Sequence, residues 1–180
     1  FTGGVEVQAG ANLKISSASA LGSGTLALVG TPTTSATLST TADMTISNPI
    51  TVKYDPTFNV ASGTTTTVTS AIADGGAPGD VVVTGGGTLA LTNVNTYSGA
   101  TTIDAGSRLA LTGAGSISAS TAVTNNGAFD VTQAAGNVTL GGTYTQGTTG
   151  TLKMTLAPVS NQQVNVAGTA NLGGTLDLAA

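Results

Sequence analysis

The sequence contains no cysteine and no histidine. Without cysteine there are no disulfides and no thiolate metal sites. Without histidine the usual general base of a hydrolytic triad is missing. Charge is also scarce: 7% of residues carry one, against the usual quarter. The four cations, Lys14, Lys53, Arg108 and Lys153, stand far apart in sequence, and the net charge is −4. No basic patch for phosphate is readable, so no nucleic-acid partner is expected. No apolar run approaches the length of a membrane-spanning helix. The opening residues "FTGGVEV" are not a signal peptide. The aromatic content is 3%, yet hydrophobic residues make up 39% and mean hydropathy is +0.28, which excludes a disordered acidic tail.

Threonine and glycine are abundant, with 35 and 26 residues. Threonine favours strands and glycine disfavours helix interiors. No stretch has a helical period, so essentially no helix is expected. With so few charges, the surface must be covered by Thr, Ser, Asn and Gly.

The chain repeats itself. Shifted by 96 positions, "FTGGVEVQAGANLKI" (1–15) falls without a gap on "YSGATTIDAGSRLAL" (97–111). Phe1 meets Tyr97, Gly3 meets Gly99, Val7 meets Ile103, Ala9-Gly10 meets Ala105-Gly106, and Leu13 meets Leu109. The chain thus starts inside one copy, which suggests that residues precede Phe1. A shorter period lies within. The x-Leu-x-Leu pattern recurs with its first apolar residue at Leu89, Leu109, Phe129, Leu152 and Leu176, in steps of 20, 20, 23 and 24. Ile103 and Val123 also differ by 20, as do Leu26 and Ile46, and Leu38 and Phe58.

Short alternating runs ending in Gly, Asn or Asp read as short strands with tight turns. A leucine-rich repeat lacks its Asn consensus here, and a propeller blade has about twice this period. A parallel β-helix with coils of about 20–24 residues fits. Leu89, Leu109 and Phe129 are expected to form one inward column and Leu91, Leu111 and Val131 the next. Ile103 and Val123 are assigned to a column on another face. Coils about 4.8 Å apart would make roughly eight turns a rod of about 40 Å. Outward positions take Thr, and Gly and Asn are expected to supply positive-φ corners. Asn126-Gly127 is the strongest single turn signal.

The stretch "GGGTLALTNVNTYSGATTIDAGSRLAL" (85–111) resembles the passenger-associated transport repeat of bacterial autotransporters. The matching elements are Gly87-Thr88-Leu89, Asn95-Thr96-Tyr97-Ser98-Gly99, Thr101-Thr102-Ile103 and Ala105-Gly106. Departures are Asn93 and Ala100, where Gly is usual, and Ser107-Arg108. The tail "AGTANLGGTLDL" (167–178) looks like a late-passenger coil. The resemblance implies a right-handed parallel β-helix of the pertactin-like kind, all-β, exported by its own C-terminal outer-membrane barrel and displayed on the cell surface or secreted. It implies one β-helix segment over 1–180, with late coils at 143–180 as a possible autochaperone-like region.

Candidate sites are few. The carboxylates Glu6, Asp43, Asp55, Asp74, Asp80, Asp104, Asp130 and Asp177 do not cluster in sequence, so no acid–base pair for a lyase or hydrolase is readable. "DGGAPGDVVV" (74–83) echoes a calcium-binding nonapeptide, with Asp74 and Asp80 as ligands, but Pro78 replaces a required Gly, and an ordinary Gly-Pro turn is the plainer reading. Thr-x-Thr pairs at Thr31/Thr33, Thr64/Thr66 and Thr143/Thr145 are not spaced by one coil, which favours solvated strand faces over an ice-binding array. Tyr54 and Tyr144 are candidate contacts, while Tyr97 is expected to pack as a corner residue. No catalytic, cofactor or metal residue is assigned, and no enzyme is expected. A structural stem is the leading reading. An adhesin or self-association surface, making host-cell or self contacts, is the alternative, and part of an enzyme whose catalytic domain lies elsewhere comes third.

Overall fold

The computed structural model describes residues 2–156 and 162–179. Phe1, with its proposed match to Tyr97, lies outside them, as do parts of the late-coil segment 143–180. The strands are short because each apolar alternation is soon interrupted by Gly, Asn or Ser. Every strand pairing is parallel, and each strand's neighbours come from the previous and following turns of the chain. The molecule is a parallel β-helix with three faces, as the periodicity predicts.

The first face begins with Val5–Gln8, Leu26–Val29, Ile50–Tyr54 and Ile72–Gly79. The second face is continuous over an eight-stranded sheet from Asn12–Ile15 to Ala170–Asn171. The third carries seven strands from Met44–Ile46 to Thr175–Ala179. One short 3-10 turn, Ala18–Leu21, occupies the place of a third-face strand in the first coil and drives Leu21 into the core. Among the described residues it is the one departure from a helix-free reading.

The core is the set of inward columns. Leu89, Leu109 and Phe129 are successive Cα partners, as expected, and the column continues through buried Leu152 to Leu176, which is exposed. Leu91 pairs with Leu111, and Val131 is buried beyond a bulge that shifts the register after Ala110. Leu38 pairs with Phe58.

Two assignments are corrected. Leu26 pairs with Ile50 on the first face, and Ile46 with Val68 on the third, so the 20-residue step between Leu26 and Ile46 joins different faces. Ile103 pairs with Asn125, and Thr101 with Val123. Both Ile103 and Val123 point inward, but the coil between them is two residues longer than the step assumed. A period-two pattern cannot reveal such a shift, because it leaves facing unchanged.

The 96-residue repeat encodes a corner rather than a place in the rod. Val5–Gln8 and Asn12–Ile15 lie on the first and second faces, but their matches, Ala100–Ile103 and Arg108–Gly113, lie on the second and third. What is shared is the turn between them. Ala11 N–H donates to Gln8 O at 2.9 Å and Ser107 N–H to Asp104 O at 3.0 Å. Gly10 and Gly106 have φ of 79° and 80°. That is position i+2 of a type II turn, where a positive φ selects glycine. Ala61 and Thr64 close the same turn around Gly63, φ 76°. Asn126-Gly127 also forms a corner, but Gly127 has no positive φ. A Cβ there would collide with the carbonyl oxygens of Asp104 and Ser107.

Candidate functional site: the clasp at residues 95–99

The first face is interrupted. After Ile72–Gly79 its ladder stops, and among the described residues the next two coils share no strand pair on this face, just the isolated bridge Val94↔Ser116. Pairing resumes between Val138–Leu140 and Val164–Val166. The repeat motif Asn-Thr-Tyr-Ser-Gly sits in this gap, and its side chains replace the missing strand.

Asn95 is buried. Its Oδ1 accepts the Ile72 N–H at 2.9 Å, one coil back. Its Nδ2 donates to Ser116 O, one coil forward, and to Asn93 O, both at 2.9 Å. The Thr96 and Tyr97 amides both donate to Ile72 O. Buried backbone groups must be paired, and here one amide side chain pairs those of three coils.

Tyr97 turns inward and is fully enclosed. Its hydroxyl shares a hydrogen bond with Thr101 Oγ1 at 2.7 Å, Thr101 Oγ1 shares one with Ser120 Oγ at 2.9 Å, and Ser120 Oγ donates to Gly99 O. Burial raises the Tyr97 hydroxyl pKa, so it remains a neutral donor. Tyr97 is thus the packed corner residue expected from the sequence. Tyr144 is buried too, while Tyr54 is exposed, with Lys53 Nζ 5.1 Å from its ring centroid.

Ser98 ties the motif to the coil below. Its Oγ donates to Asp74 Oδ2 at 2.6 Å and its N–H to Asp74 Oδ1 at 3.1 Å, while Gly79 N–H also reaches Oδ1 at 2.9 Å. Burial works to raise the Asp74 pKa, but these three donors outweigh it and hold the carboxyl below its ordinary value. Asp80 Oδ1 accepts the Ala100 N–H at 2.8 Å. Desolvation, helped by the nearby Asp55 charge, raises the Asp80 pKa against that bond. Gly99 is fixed by proximity: a Cβ would strike Asp80 Oδ1 and Gly79 O.

Asp74 and Asp80 hold backbone amides, and residues 74–79 run through the bulged end of the strand Ile72–Gly79 rather than forming the Gly-Pro turn expected from the sequence. Among the described residues no three His, Cys, Asp or Glu side chains gather. Of the departures from the repeat, Ser107 is buried and accepts the Gly86 N–H.

Two features escaped the sequence reading. First, Asp130, Lys153 and Asp177 are successive Cα partners in one row on the third face, and Lys153 Nζ lies 2.8 Å from Asp177. Arg108, two residues along from Ala110 in the neighbouring strand, reaches diagonally to pair with Asp130. The cations are not all isolated, and for Lys153 the one-coil spacing was the signal. Second, Asn12, Thr37, Thr57, Val82, Thr102, Thr124, Thr145 and Asn171 are successive partners on the second face. A threonine-rich row does follow the coil spacing, although the Thr-x-Thr pairs do not, and Thr66 of one such pair is buried.

The sequence signature of the Passenger-associated-transport-repeat matches residues 81–107. The chain is similar to the Adhesin BmaC autotransporter of Brucella suis biovar 1 (strain 1330), 37% identical over 110 residues, which cover 59% of this chain and 3% of that adhesin. No solved structure matches the chain. The repeat match, the similarity to an autotransporter adhesin and the β-solenoid all fit an autotransporter passenger, displayed on the cell surface or secreted.

Proposed function

We propose that the chain is a stem segment of its passenger, holding more distal regions away from the cell and supporting export. The observation that carries this reading is the unbroken second-face ladder through all eight coils, with the motif's polar groups paired across the gap in the first face. The Asp74, Asp80, Asn95 and Tyr97 side chains are engaged in holding the scaffold, which supports a non-enzymatic role. The partner is the passenger's own C-terminal outer-membrane barrel, outside this chain. No cofactor is invoked. A solenoid stabilises each coil through its neighbours, so a chain emerging from a barrel gains stability as each coil is added.

An adhesive role is the second reading, favoured by the similarity to an adhesin. Both are tested by displaying the chain upstream of a barrel with an N-terminal epitope. A stem predicts that removing whole coils draws the epitope closer to the membrane while export continues, and that beads coated with the chain neither aggregate nor bind cells. Bead binding, with epitope reach insensitive to coil number, would replace the stem with the adhesin.

A further inference from the structure

The inward columns leave the coil register degenerate. On the second face, a slip of two residues would set Ile103 over Val123 and preserve every facing. Apolar matching alone favours that slip, because in the observed register Ile103 meets Asn125. On the third face Thr151–Thr155 pairs with Thr175–Ala179 through Leu152↔Leu176 and Met154↔Leu178. A two-residue slip there keeps apolar on apolar as well. Something other than hydrophobic pattern must select the register.

The column Phe58, Val83, Ile103 continues inward as Asn125 and then Gln146. Both amides are buried. Asn125 Nδ2 donates to Tyr144 Oη at 3.1 Å and to Thr151 O at 3.0 Å. Tyr144 Oη donates to Gln146 Oε1 at 2.9 Å. Gln146 Nε2 reaches Gly150 O at 3.1 Å, Gly173 O at 2.5 Å and Thr175 O at 2.9 Å. The Tyr144–Gln146 and Gln146–Gly150 bonds lie within one coil, whereas the bonds of Asn125 to Tyr144 Oη and Thr151 O and of Gln146 to Gly173 O and Thr175 O cross between three successive coils and depend on their offset. Asn125 Oδ1 has no partner, so the cluster is not arranged for maximal stability. A buried polar group that is imperfectly paired adds little net stability, yet it penalises every arrangement that leaves more of it unpaired.

We propose that Asn125 and Gln146 form a register lock, which selects the coil offset between 122–125, 143–146 and 170–175 without being a main source of stability. The absence of native cysteine makes the test direct. Thr124 and Thr145 are Cα partners on the outward face, whereas Thr124 and Thr143 are partners only after a two-residue slip. Directly paired positions fall within disulfide reach, and offset ones do not. The full chain is prepared with Thr124→Cys plus Thr145→Cys, or Thr124→Cys plus Thr143→Cys, each with the native amides and with Asn125→Val plus Gln146→Leu.

With native amides, mild oxidation should close only the 124–145 pair. With both amides replaced, the ratio of 124–143 to 124–145 disulfide should rise by at least about tenfold, while far-UV circular dichroism retains the strand signal. The proposal is overturned if the offset pair stays unreactive in the folded double variant, or if it already closes with the amides present. Loss of the strand signal in the double variant also overturns it, since the amides would then hold the fold itself.

Discussion

Asn95 Oδ1 accepts the backbone N–H of Ile72 at 2.9 Å, across a boundary where no strand pair joins the coils. Replacing Asn95 with Ala would leave the Ile72 N–H without its partner, while Ser116 O keeps the Asn95 backbone N–H. One such buried donor costs about 2 kcal/mol, roughly a 6 °C fall in melting temperature for a chain of this size. Asn93→Ala, at an exposed position two residues away, should stay within about 0.5 kcal/mol. Thermal melts of the two variants check this. Equal losses would mean that Asn95 is no special bridge.

Leu109 lies between Leu89 and Phe129 and is fully buried, while Thr102 is on the outward row of the second face. Leu109→Asp buries a carboxylate without a partner and should cost several kcal/mol. Thr102→Asp should cost little. A comparable shift in the two melting temperatures would contradict the assigned facing.

Glycine is required for two different reasons at adjacent corners. Gly106 has open space around its Cα but a φ of 80°. Gly106→Ala should therefore cost about 1–2 kcal/mol from left-handed backbone alone. Gly127 lacks a positive φ, but a Cβ would meet two carbonyl oxygens. Gly127→Ala must displace backbone and should be the more damaging change. Urea midpoints of the two variants rank them, and the reverse order would refute the assignment.

The third-face column from Leu89 to Leu176 was legible because its steps equal the coil length and its strands share one pattern. The Ala-Gly corner was legible because a type II turn restricts i+2 to glycine, although the face on which it falls was not. Ile103 over Asn125 was hidden, because an inward amide looks like an outward one in an alternating strand. Asn95 was hidden for a related reason: an asparagine in a polar loop carries no mark of the strand it replaces. The row Asp130, Lys153 and Asp177 shows in its one-coil spacing, but only once charges are compared across coils rather than along the chain.

Acidity should act on Asp74 and Asp80 in opposite directions. The Asp74 pKa is lowered by its donors despite burial, so its contribution is present above the ordinary carboxylate pKa and is lost as pH falls through the lowered value. The Asp80 pKa is raised by desolvation and by Asp55, so its ionised form opposes folding near neutrality, and protonation relieves this as pH falls. Asp74→Asn should lower the melting temperature at neutral pH, with the gap closing in acid. Asp80→Asn keeps an acceptor for the Ala100 N–H and should match or exceed the parent at neutral pH, with the advantage vanishing in acid. Melting curves across the acidic range check both signs, and a destabilised Asp80→Asn at neutral pH would refute the second.

The late coils are expected to nucleate folding. Phe129 and Tyr144 bring their rings to 6.2 Å between centroids, and the Asn125, Tyr144 and Gln146 bonds tie three coils together next to that contact. In a one-dimensional stack, a preformed coil removes the nucleation penalty for its neighbour, and growth can proceed from it. Deleting residues 151–180 removes the carbonyls of Thr151, Gly173 and Thr175 that hold Asn125 and Gln146. Deleting residues 1–30, an equal length, leaves that cluster whole. The C-terminal truncation should therefore refold more slowly from denaturant than the N-terminal one, followed by far-UV circular dichroism. If the N-terminal truncation is as slow or slower, folding does not start from the late coils, and the polarity assigned here is wrong.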